Sequence, residues 1–482
     1  MIKNEKLKIL LVIFMIFIFL YSPAVRSSEY KVVYFTKSYG GKNEDCSNVI
    51  LKTQDGGYLV GGKTKSFTSN GSDAWIIKLN KCGNVVWQKG YRGGKGWLSV
   101  LSIEQTIDGG YITILDGTII KLDKYGNIEW GKQYAECGIV IEQAPDGGYV
   151  AVGLTCRGAF GGEWDHDMFV MKIDEEGNVE WAKAYGGDNG DFGEDVLVLN
   201  DGYLIAADSG TYNGVLLLKL DWEGNISWCK VYKWKEAHGL PNTRYCLQPT
   251  KYGGFILAGA STDEFSHVWV FVLNISADGS PIWCKWYKID NNYYHWNPYI
   301  LPKDNYYIMS VDGTYNFTLV KLNNDGEVVW AKSYGGNKIE SVKCVCCASD
   351  GGYVMAGYTE SFGAGGRDVW VVKTDSEGYI KFLNNSGAHI KNVTVKTKSI
   401  NVSCYDIIPQ VRDVSFKVTD TNITPYDTNA TIEVQSFFCL ITNTSQNQSI
   451  IPVNYQIIIF IISLTVIIIA GVWLWRIKVK KK

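Results

Sequence analysis

Two stretches decide the fold: residues 146–149, Asp-Gly-Gly-Tyr, and residues 172–185, Lys-Ile-Asp-Glu-Glu-Gly-Asn-Val-Glu-Trp-Ala-Lys-Ala-Tyr. Both return along the chain. The Gly-Tyr anchor recurs seven times, with Phe replacing Tyr in one copy and a degraded copy before the last: Tyr58, Tyr111, Tyr149, Tyr203, Phe255, Tyr307 and Tyr353. The anchors are on average about 49 residues apart, in the range of propeller blades and solenoid units. The repeat names neither a ligand nor a reaction.

Each unit contains four short runs of alternating apolar residues, separated by Gly, Asn and Asp turn signals. Pairs such as Gly177–Asn178 tolerate positive φ, as a tight hairpin requires. No sustained helical period occurs between Tyr30 and Phe382, which argues against a helical solenoid. The sequence therefore predicts an all-β fold, a seven-bladed β-propeller of four-stranded antiparallel blades over residues 31–383.

The last strand of each unit places Trp, Lys and Tyr on one face, as at Trp181, Lys183 and Tyr185. We expect these tryptophans to pack in the core and each lysine to lay its stem between rings and send its ammonium to water. The stretch Phe35–Tyr39 repeats this signature before the first unit, and the seventh unit lacks it. The N-terminal strand is therefore predicted to complete the seventh blade and to close the ring.

The two ends of the chain indicate export and anchoring. Lysines followed by the apolar run 9–21 and a small-residue segment predict a signal peptide over residues 1–28. The apolar run 456–475 is long enough for one transmembrane helix, and the basic tail 476–482 is predicted to be cytoplasmic. We therefore expect a single-pass cell-membrane protein with its propeller outside. The net charge of −2 excludes a basic nucleic-acid surface.

The segment 384–454 is predicted to be a glycosylated stalk or a small β domain. Most of the predicted N-glycosylation sequons lie there: the full set is Asn70, Asn225, Asn274, Asn316, Asn384, Asn392, Asn401, Asn422, Asn429, Asn443 and Asn447. Twelve cysteines in an exported chain favour disulfides. We expect Cys404 and Cys439 to staple this segment, whereas Cys229 and Cys284 occupy a small-residue slot and fit buried thiols.

The tight turns leave the opposite face to variable loops, which is where binding sites usually lie on a rigid scaffold. Aromatic residues there fit platforms for glycans or peptides: Tyr293, Tyr294, His295, Trp296, Trp164, Phe160, Trp97, Trp234 and Phe362. The alternative is that these rings pack between blades. The long loops of the first and seventh units, 65–72 and 360–367, are expected to form one lip, because these blades are neighbours.

A weak calcium site is possible at Asp188, Asp191, Glu194 and Asp195, which supply oxygen ligands but lack the spacing of a calcium loop. Beyond this hypothetical Ca²⁺ we expect no cofactor. No nucleophile motif, phosphate loop or paired catalytic carboxylates occur, so the chain is not expected to be an enzyme. We expect a binding or adhesion module for a surface glycan or protein. A structural envelope component is the alternative.

Residues 350–373, with Asp350-Gly-Gly-Tyr353, Ser361–Gly365 and Asp368-Val-Trp370, resemble the repeats of uncharacterised archaeal and bacterial surface β-propellers. That resemblance covers about residues 31–383 and implies a secreted or anchored propeller without a defined activity. The turn Asp123-x-x-Gly126-x-x-x-Trp130 also looks like the tryptophan docking motif of quinoprotein dehydrogenases. This second resemblance implies, as a further alternative, an extracellular oxidoreductase with a quinone cofactor flanked by vicinal cysteines, here Cys346 and Cys347.

Overall fold

Seven β-sheets are arranged in a closed ring in the computed structural model of this chain. The structure describes residues 33–68, 71–93, 97–134, 137–155, 166–235, 244–289, 298–312, 315–380, 388–413, 419–420, 424–428 and 430–438. Within these ranges every regular element is a strand. The prediction of a seven-bladed, antiparallel β-propeller is therefore confirmed.

Each blade contains four consecutive strands, numbered from the ring axis outwards, and the last blade borrows its outer strand from the N-terminus. Blades 1 to 3 are β2 (Asp45–Lys52), β3 (Tyr58–Thr64), β4 (Asp73–Leu79), β5 (Val85–Arg92); β6 (Val100–Gln105), β7 (Tyr111–Leu115), β8 (Thr118–Leu122), β9 (Ile128–Gln133); and β10 (Cys137–Gln143), β11 (Tyr149–Leu154), β12 (Met168–Ile173), β13 (Val179–Gly186). Blades 4 and 5 are β14 (Asp191–Leu199), β15 (Gly202–Ser209), β16 (Gly214–Leu220), β17 (Ile226–Lys233); and β18 (Cys246–Pro249), β19 (Phe255–Thr262), β20 (Val268–Ile275), β21 (Pro281–Ile289). Blades 6 and 7 are β22 (Tyr299–Lys303), β23 (Tyr306–Asp312), β24 (Phe317–Asn323), β25 (Val328–Gly335); and β26 (Glu340–Cys347), β27 (Tyr353–Thr359), β28 (Asp368–Thr374), β1 (Tyr34–Gly40).

The N-terminal strand closes the ring as predicted. β1 pairs antiparallel with β28, with Phe35 opposite Lys373 and Tyr39 opposite Val369. Just before β1, the main-chain N–H of Val33 donates to the Asp350 carboxylate at 2.9 Å. The first and last blade strands of the propeller therefore belong to one sheet, which leaves no open gap between blades 7 and 1.

The two faces of the ring differ in their connections. The Asp-Gly-Gly turns and the turns between the third and fourth strands lie on one side, here called the turn face. The opposite side, here called the loop face, carries the second-to-third loops and the crossings between blades. In blade 2 the loop-face connection shrinks to Asp116 and Gly117, both at positive φ (45° and 78°), as a two-residue hairpin turn requires.

Neighbouring blades dock through the repeated Tyr of the outer strand. Its hydroxyl donates to a glycine carbonyl in the next blade's turn, at 2.6–2.9 Å in all seven interfaces: Tyr39–Gly83, Tyr91–Gly126, Tyr134–Gly177, Tyr185–Gly224, Tyr232–Gly279, Tyr287–Gly326 and Tyr334–Gly378. The Trp130 ring lies against Gly177, where an added Cβ would meet ring carbon Cζ3 at 2.8 Å. Glycine is thus required both for its positive φ and for close ring approach.

The lysine between Trp and Tyr does more than reach water, which corrects the expectation above. Lys89, Lys132 and Lys183 donate to the side-chain oxygen of the turn asparagine in the next blade, at 2.7–3.1 Å. Within several blades a second, buried lysine holds the Asp-Gly-Gly turn. Lys373, 1% exposed, pairs with Asp350 at 2.7 Å. Polar side chains therefore fix the blade interfaces and the turns while apolar side chains fill the space between.

The C-terminal segment winds around the outside of the ring and adds a fifth strand to every blade. These strands, here called the belt, run in the reverse order of the blades from blade 6 through blade 1 to blade 7: β29 (His389–Asn392), β30 (Val395–Ser399), β31 (Ser403–Asp406), β32 (Gln410–Asp413), β33 (Thr419–Asp420), β34 (Thr424–Asp427) and β35 (Thr431–Phe438). The expectation of a stalk or a small β domain is therefore wrong for the described residues of 388–438. Short strands with apolar neighbours can be stable here because the outer edges of the blades template them.

The belt has a seven-residue repeat, one repeat for each blade. The belt residue opposite the outer-strand lysine recurs at every seventh position: Asn392, Ser399, Asp406, Asp413, Asp420, Asp427 and Val434. The following residue returns to the blade, as Ile400 does when its N–H donates to the Cys284 carbonyl at 2.9 Å. Ile400 is 7% exposed and belongs to the core between blades 4 and 5.

The cysteines differ from the predicted pattern. Cys404 is free and lies on β31 at blade 4, three blades away from β35, which ends at Phe438 on blade 7. The predicted Cys404–Cys439 disulfide is therefore wrong. Cys229 and Cys284 are free and buried, as expected, and Cys346 and Cys347 are both free thiols. Cys82 is disulfide-bonded.

Several predictions on the chain termini fall outside the described residues: the signal peptide 1–28, the helix 456–475 and the tail 476–482. In the part of the chain that the structure describes, no helix has the length and hydropathy to cross a membrane. Of the sequons, Asn225, Asn392 and Asn401 are exposed. Asn274 is half-buried inside β20, and Asn316 is half-buried at the start of β24, which disfavours a glycan at either position.

Candidate functional site

Of the nine aromatic residues predicted as platforms, two are buried, one is exposed and six lie outside the described residues. Tyr293, Tyr294, His295 and Trp296, together with Phe160 and Trp164, lie outside the described residues. Trp234 is 6% exposed and packs against Phe271, with ring centroids 4.8 Å apart. Phe362 is 8% exposed and packs on Trp370. Both are core residues, so the prediction of exposed platforms is wrong for them.

Trp97 is the aromatic candidate that the structure places on the surface, at 65% exposed. It follows β5 on the loop face, where it forms an isolated parallel bridge with Ser72. The N–H of Leu98 donates to the Ser72 carbonyl at 2.8 Å. Backbone pairing with Ser72 therefore fixes the position of Trp97, and its role in ligand binding stays a prediction.

The long loops of blades 7 and 1 both contact the crossing that enters blade 1, and both border one recess. The N–H of Asp45 donates to the Arg367 carbonyl at 2.7 Å, and the N–H of Lys65 donates to the Glu44 carbonyl at 2.9 Å. The guanidinium of Arg367 lies over the Tyr358 ring at 4.6 Å. Together these contacts form a lip with a shallow recess of about 560 Å³ on the loop face.

The proposed calcium ligands do not form one ligand set. Asp188 is exposed on the loop face. Asp191 accepts hydrogen bonds from Ser209, from Thr211 at 2.8 Å and from the Gly187 N–H at 3.1 Å. Among the described residues, no group of three or more His, Cys, Asp or Glu side chains is arranged to hold a metal ion.

Asp191 has counterparts that explain it as part of the repeat. In blade 1 the Asp45 carboxylate accepts from the Gly41 N–H at 2.8 Å, and in blade 7 the Glu340 carboxylate accepts from the Gly336 N–H at 3.1 Å. In each case the acid lies at the start of the inner strand and fixes the glycine after the preceding outer strand. This recurrence indicates a structural hydrogen-bonding role.

The most developed cavity is the axial channel, which the innermost strands of all seven blades surround. Its volume is about 700 Å³, and its lining combines charged side chains with apolar ones. Acidic side chains come from blades 2 to 4, whereas Arg244 and Tyr245 come from the segment just before β18 in blade 5. Because its walls are inner strands rather than loops, the channel is a preformed site.

Bulges determine which side chains enter the channel. Five inner strands shift register by one residue near their loop-face ends, and the extra residues are Asn48, Leu101, Ile139, Glu194 and Lys343. A bulge leaves two residues opposite one residue of the partner strand. It therefore turns into the channel a side chain that strict alternation would point away from it. In blade 4 it brings the consecutive residues Glu194 and Asp195 to the same cavity.

Three of the acids connect neighbouring blades across the channel wall. Glu104 accepts from the Gln143 N–H at 2.6 Å, Glu142 from the Val198 N–H at 2.9 Å, and Asp195 from the Leu247 N–H at 2.7 Å. Each bond joins one blade to the next in the order 2 to 3, 3 to 4 and 4 to 5. Each carboxylate satisfies a main-chain N–H of the next blade's inner strand that faces back toward it.

Arg244 crosses the channel. Its guanidinium donates to the Leu101 carbonyl at 2.9 Å and so joins blade 5 to blade 2 on the other side of the ring. It lies close enough to Glu194 and Asp195 to stabilise their charged forms. Arg244 is therefore the channel cation that acts on the two acids of blade 4, and Lys52 and Lys343 line the channel as well.

The electrostatics of the channel follow from burial. Desolvation raises the pKa of Glu194 to about 8 and the pKa values of Glu104 and Asp195 to about 7. Burial, followed by the nearby charges of Glu104 and Asp195, raises the pKa of Glu142 well above its usual range. Uptake of a proton or of a cation by this channel is therefore favourable near neutral pH.

Sequence reasoning singled out Glu194 and Asp195 but missed the channel acids Glu104 and Glu142, although a signal was present. Glu104 and Glu142 each stand four residues before the aspartate of an Asp-Gly-Gly turn, where the other blades have Leu51, Leu197 and Cys346. An acid at a position that is otherwise apolar indicates either a buried hydrogen bond or a site. Arg244 and Tyr245 gave no such signal, because the crossing before β18 has no periodicity.

No protein-family model matches this sequence, and no curated protein matches it. Among solved structures the chain is similar to the Dos1 propeller, at 9% identity with 70% of this chain and 95% of that one covered, and a TM-score of 0.44. It is also similar to BamB from Moraxella catarrhalis, at 12% identity with 68% and 99% covered and a TM-score of 0.36. A third is the extracellular domain of a putative one-component system from B. thetaiotaomicron, at 12% identity with 70% and 40% covered and a TM-score of 0.39.

These likenesses concern the fold alone, and at such scores they support no functional argument. The class of this chain rests on its own sheets: it is a seven-bladed β-propeller with a belt of fifth strands. Membership in the group of uncharacterised surface propellers stays a prediction. The quinoprotein alternative stays a prediction, and its vicinal pair, Cys346 and Cys347, consists of free thiols.

Proposed function

We propose that this protein is a membrane-anchored binding module of the cell surface, with a glycan, protein or small polar molecule as its ligand. The axial channel carries this proposal, because it is a preformed cavity of about 700 Å³, lined by both charged and apolar side chains, at the centre of the ring. The lip between blades 7 and 1 and the exposed Trp97 add contact surface on the loop face.

The orientation of the chain ends supports the loop face as the binding face. β1 starts, and β35 ends, at the turn face, where Tyr34 pairs with Phe438. The chain therefore leaves the described propeller on the side opposite the variable loops. In this proposal the protein is not an enzyme.

The test is a binding screen with secreted ectodomain, residues 29–450, which contains every strand of the seven sheets. Immobilised protein is presented with glycan arrays, native envelope extract and a library of small polar metabolites. We expect a saturable ligand whose affinity falls on substitution of Trp97 or of a channel residue such as Gln248. A folded ectodomain that binds nothing contradicts the proposal and favours a structural envelope role.

The matched control is Tyr252→Ala. Tyr252 is 76% exposed, but it lies on the turn face, in the turn before β19. Trp97→Ala and Tyr252→Ala remove exposed aromatic side chains from opposite faces of the propeller. A ligand lost in both variants, or only in Tyr252→Ala, contradicts binding at the loop face.

A further inference from the structure

Glu194 differs from the other channel acids in its hydrogen bonding. It is 5% exposed, and within the described part of the chain its carboxylate accepts no hydrogen bond, whereas Glu104, Glu142 and Asp195 each accept a main-chain N–H. The bulge at Gly193–Asp195 turns it into the axial channel. A buried carboxylate without donors is unfavourable unless something else supplies them.

Tyr245 is a second polar side chain that lines the channel without a partner. It is 4% exposed, and its hydroxyl makes no hydrogen bond within the described residues. Its ring is fixed by Phe271, with centroids 5.8 Å apart. Packing against Phe271 therefore holds the Tyr245 side chain beside Glu194, and its position does not depend on a hydrogen bond of its hydroxyl.

Arg244 and Lys343, two of the cations that line the channel, have hydrogen-bond partners other than Glu194. Arg244 donates to the Leu101 carbonyl across the ring, and Lys343 pairs with Asp312 at 3.3 Å. The charged groups that act on Glu194 are Arg244, which favours its ionised form, and Asp208 and Asp195, which oppose it. Four acids line the channel against three cations, of which Lys343 is already paired, so the channel favours an added positive charge.

We propose that the axial channel binds a small organic cation through its primary ammonium group, with Glu194 as the anionic acceptor and the Tyr245 hydroxyl as a second acceptor. This inference rests on the proposed binding function and specifies its ligand class. An ammonium supplies three donors in a compact group. A metal ion fits less well, because the described channel residues offer no set of three ligands.

The probe is 1,4-diaminobutane, titrated calorimetrically into ectodomain 29–450 at pH 7.5, with 1,4-butanediol as the neutral analogue of the same length. We expect saturable one-to-one binding of the diamine only. Glu194→Gln should weaken it at least tenfold. Glu223→Gln, an exposed acid in the turn after β16, should leave it unchanged.

The pH dependence adds a second readout. Because burial raises the pKa of Glu194 to about 8, diamine affinity should increase between pH 6 and pH 8.5 in the wild type and not in Glu194→Gln. Absence of saturable binding, or equal affinity in the two proteins, overturns this inference. If the broad screen still finds another ligand, the binding function stands and only its ligand class is wrong.

Discussion

The docking of each tryptophan on a glycine in the next blade can be tested at Gly177. This residue has φ of +79°, and a Cβ there would lie 2.8 Å from Cζ3 and 2.9 Å from Cη2 of Trp130. Gly177→Ala therefore has two costs. The left-handed conformation costs a non-glycine residue about 1–2 kcal/mol, and the displacement of a packed ring costs about 1–3 kcal/mol more.

Gly109→Ala is the matched control, because Gly109 has φ of +85° but no atom within 4 Å of the position of its Cβ. It has the conformational cost without the steric one. We expect Gly109→Ala to lower the free energy of unfolding by about 1–2 kcal/mol and Gly177→Ala by about 2–5 kcal/mol. Urea unfolding of the ectodomain, followed by tryptophan fluorescence and circular dichroism, measures both. Equal losses in the two variants refute ring docking as the reason for glycine at this position.

Three further predictions concern the belt, the buried ion pairs and the channel. Ile400→Ala should lower the free energy of unfolding of the ectodomain by about 2–4 kcal/mol, because Ile400 is buried in the core between blades 4 and 5. The exposed control Lys396→Ala should have no effect in the same urea titration. Equal effects of the two substitutions contradict belt packing. Asp350→Asn should lower the free energy of unfolding by about 3 kcal/mol or more, because it leaves Lys373 buried without its charged partner. Asp201→Asn, at the more exposed pair with Lys219, should lower it by less than about 1 kcal/mol. Similar shifts of the melting temperature in the two variants would show that burial of the pair does not matter. Stability should fall as pH rises from about 5 to 8, because carboxyls with a raised pKa, including Glu194 at about 8, keep protons in the folded protein that they have already lost in the unfolded chain. Glu194→Gln should reduce this slope. A melting temperature that rises with pH contradicts the prediction.

The blades could be predicted from sequence because their determinants are local. The Asp-Gly-Gly turn is fixed within itself: Gly148 donates its N–H to the Asp146 carboxylate at 3.0 Å. The partner of the Trp-Lys-Tyr face is another copy of the same repeat, so each motif predicts its own neighbour. Closure of the ring by Phe35–Tyr39 followed from the same pattern.

The belt escaped prediction because its strands are too short to show alternation. Four residues such as Ser403–Asp406, followed by a three-residue crossing, leave no run long enough to recognise as a strand. The signal was the seven-residue spacing of Asp406, Asp413, Asp420 and Asp427. Its meaning depends on seven outer edges that exist only in the assembled ring, and the sequons in the same segment suggested a stalk instead.

The site was harder to predict than the fold because aromatic residues in crossings are ambiguous. Trp234 follows β17, where sequence has no period, and it fills a space that Phe271 and Trp286 define. Glu194 enters the channel because of a one-residue bulge, and a bulge reverses the side of every residue that strict alternation assigns. The functional surface therefore depends on irregularities, whereas the fold depends on repetition.

Blade 7 shows how the two ends of the chain control the whole ring. Its sheet has the order β26, β27, β28, β1, β35, so it contains both the first and the last described strand. The sheet of blade 7 is complete only when β35 has paired, because β1 has β28 on one side and β35 on the other. Along the chain, the belt reaches blade 7 after it has passed the other six blades. Loss of blade 7 therefore opens the ring and releases the end of the belt together.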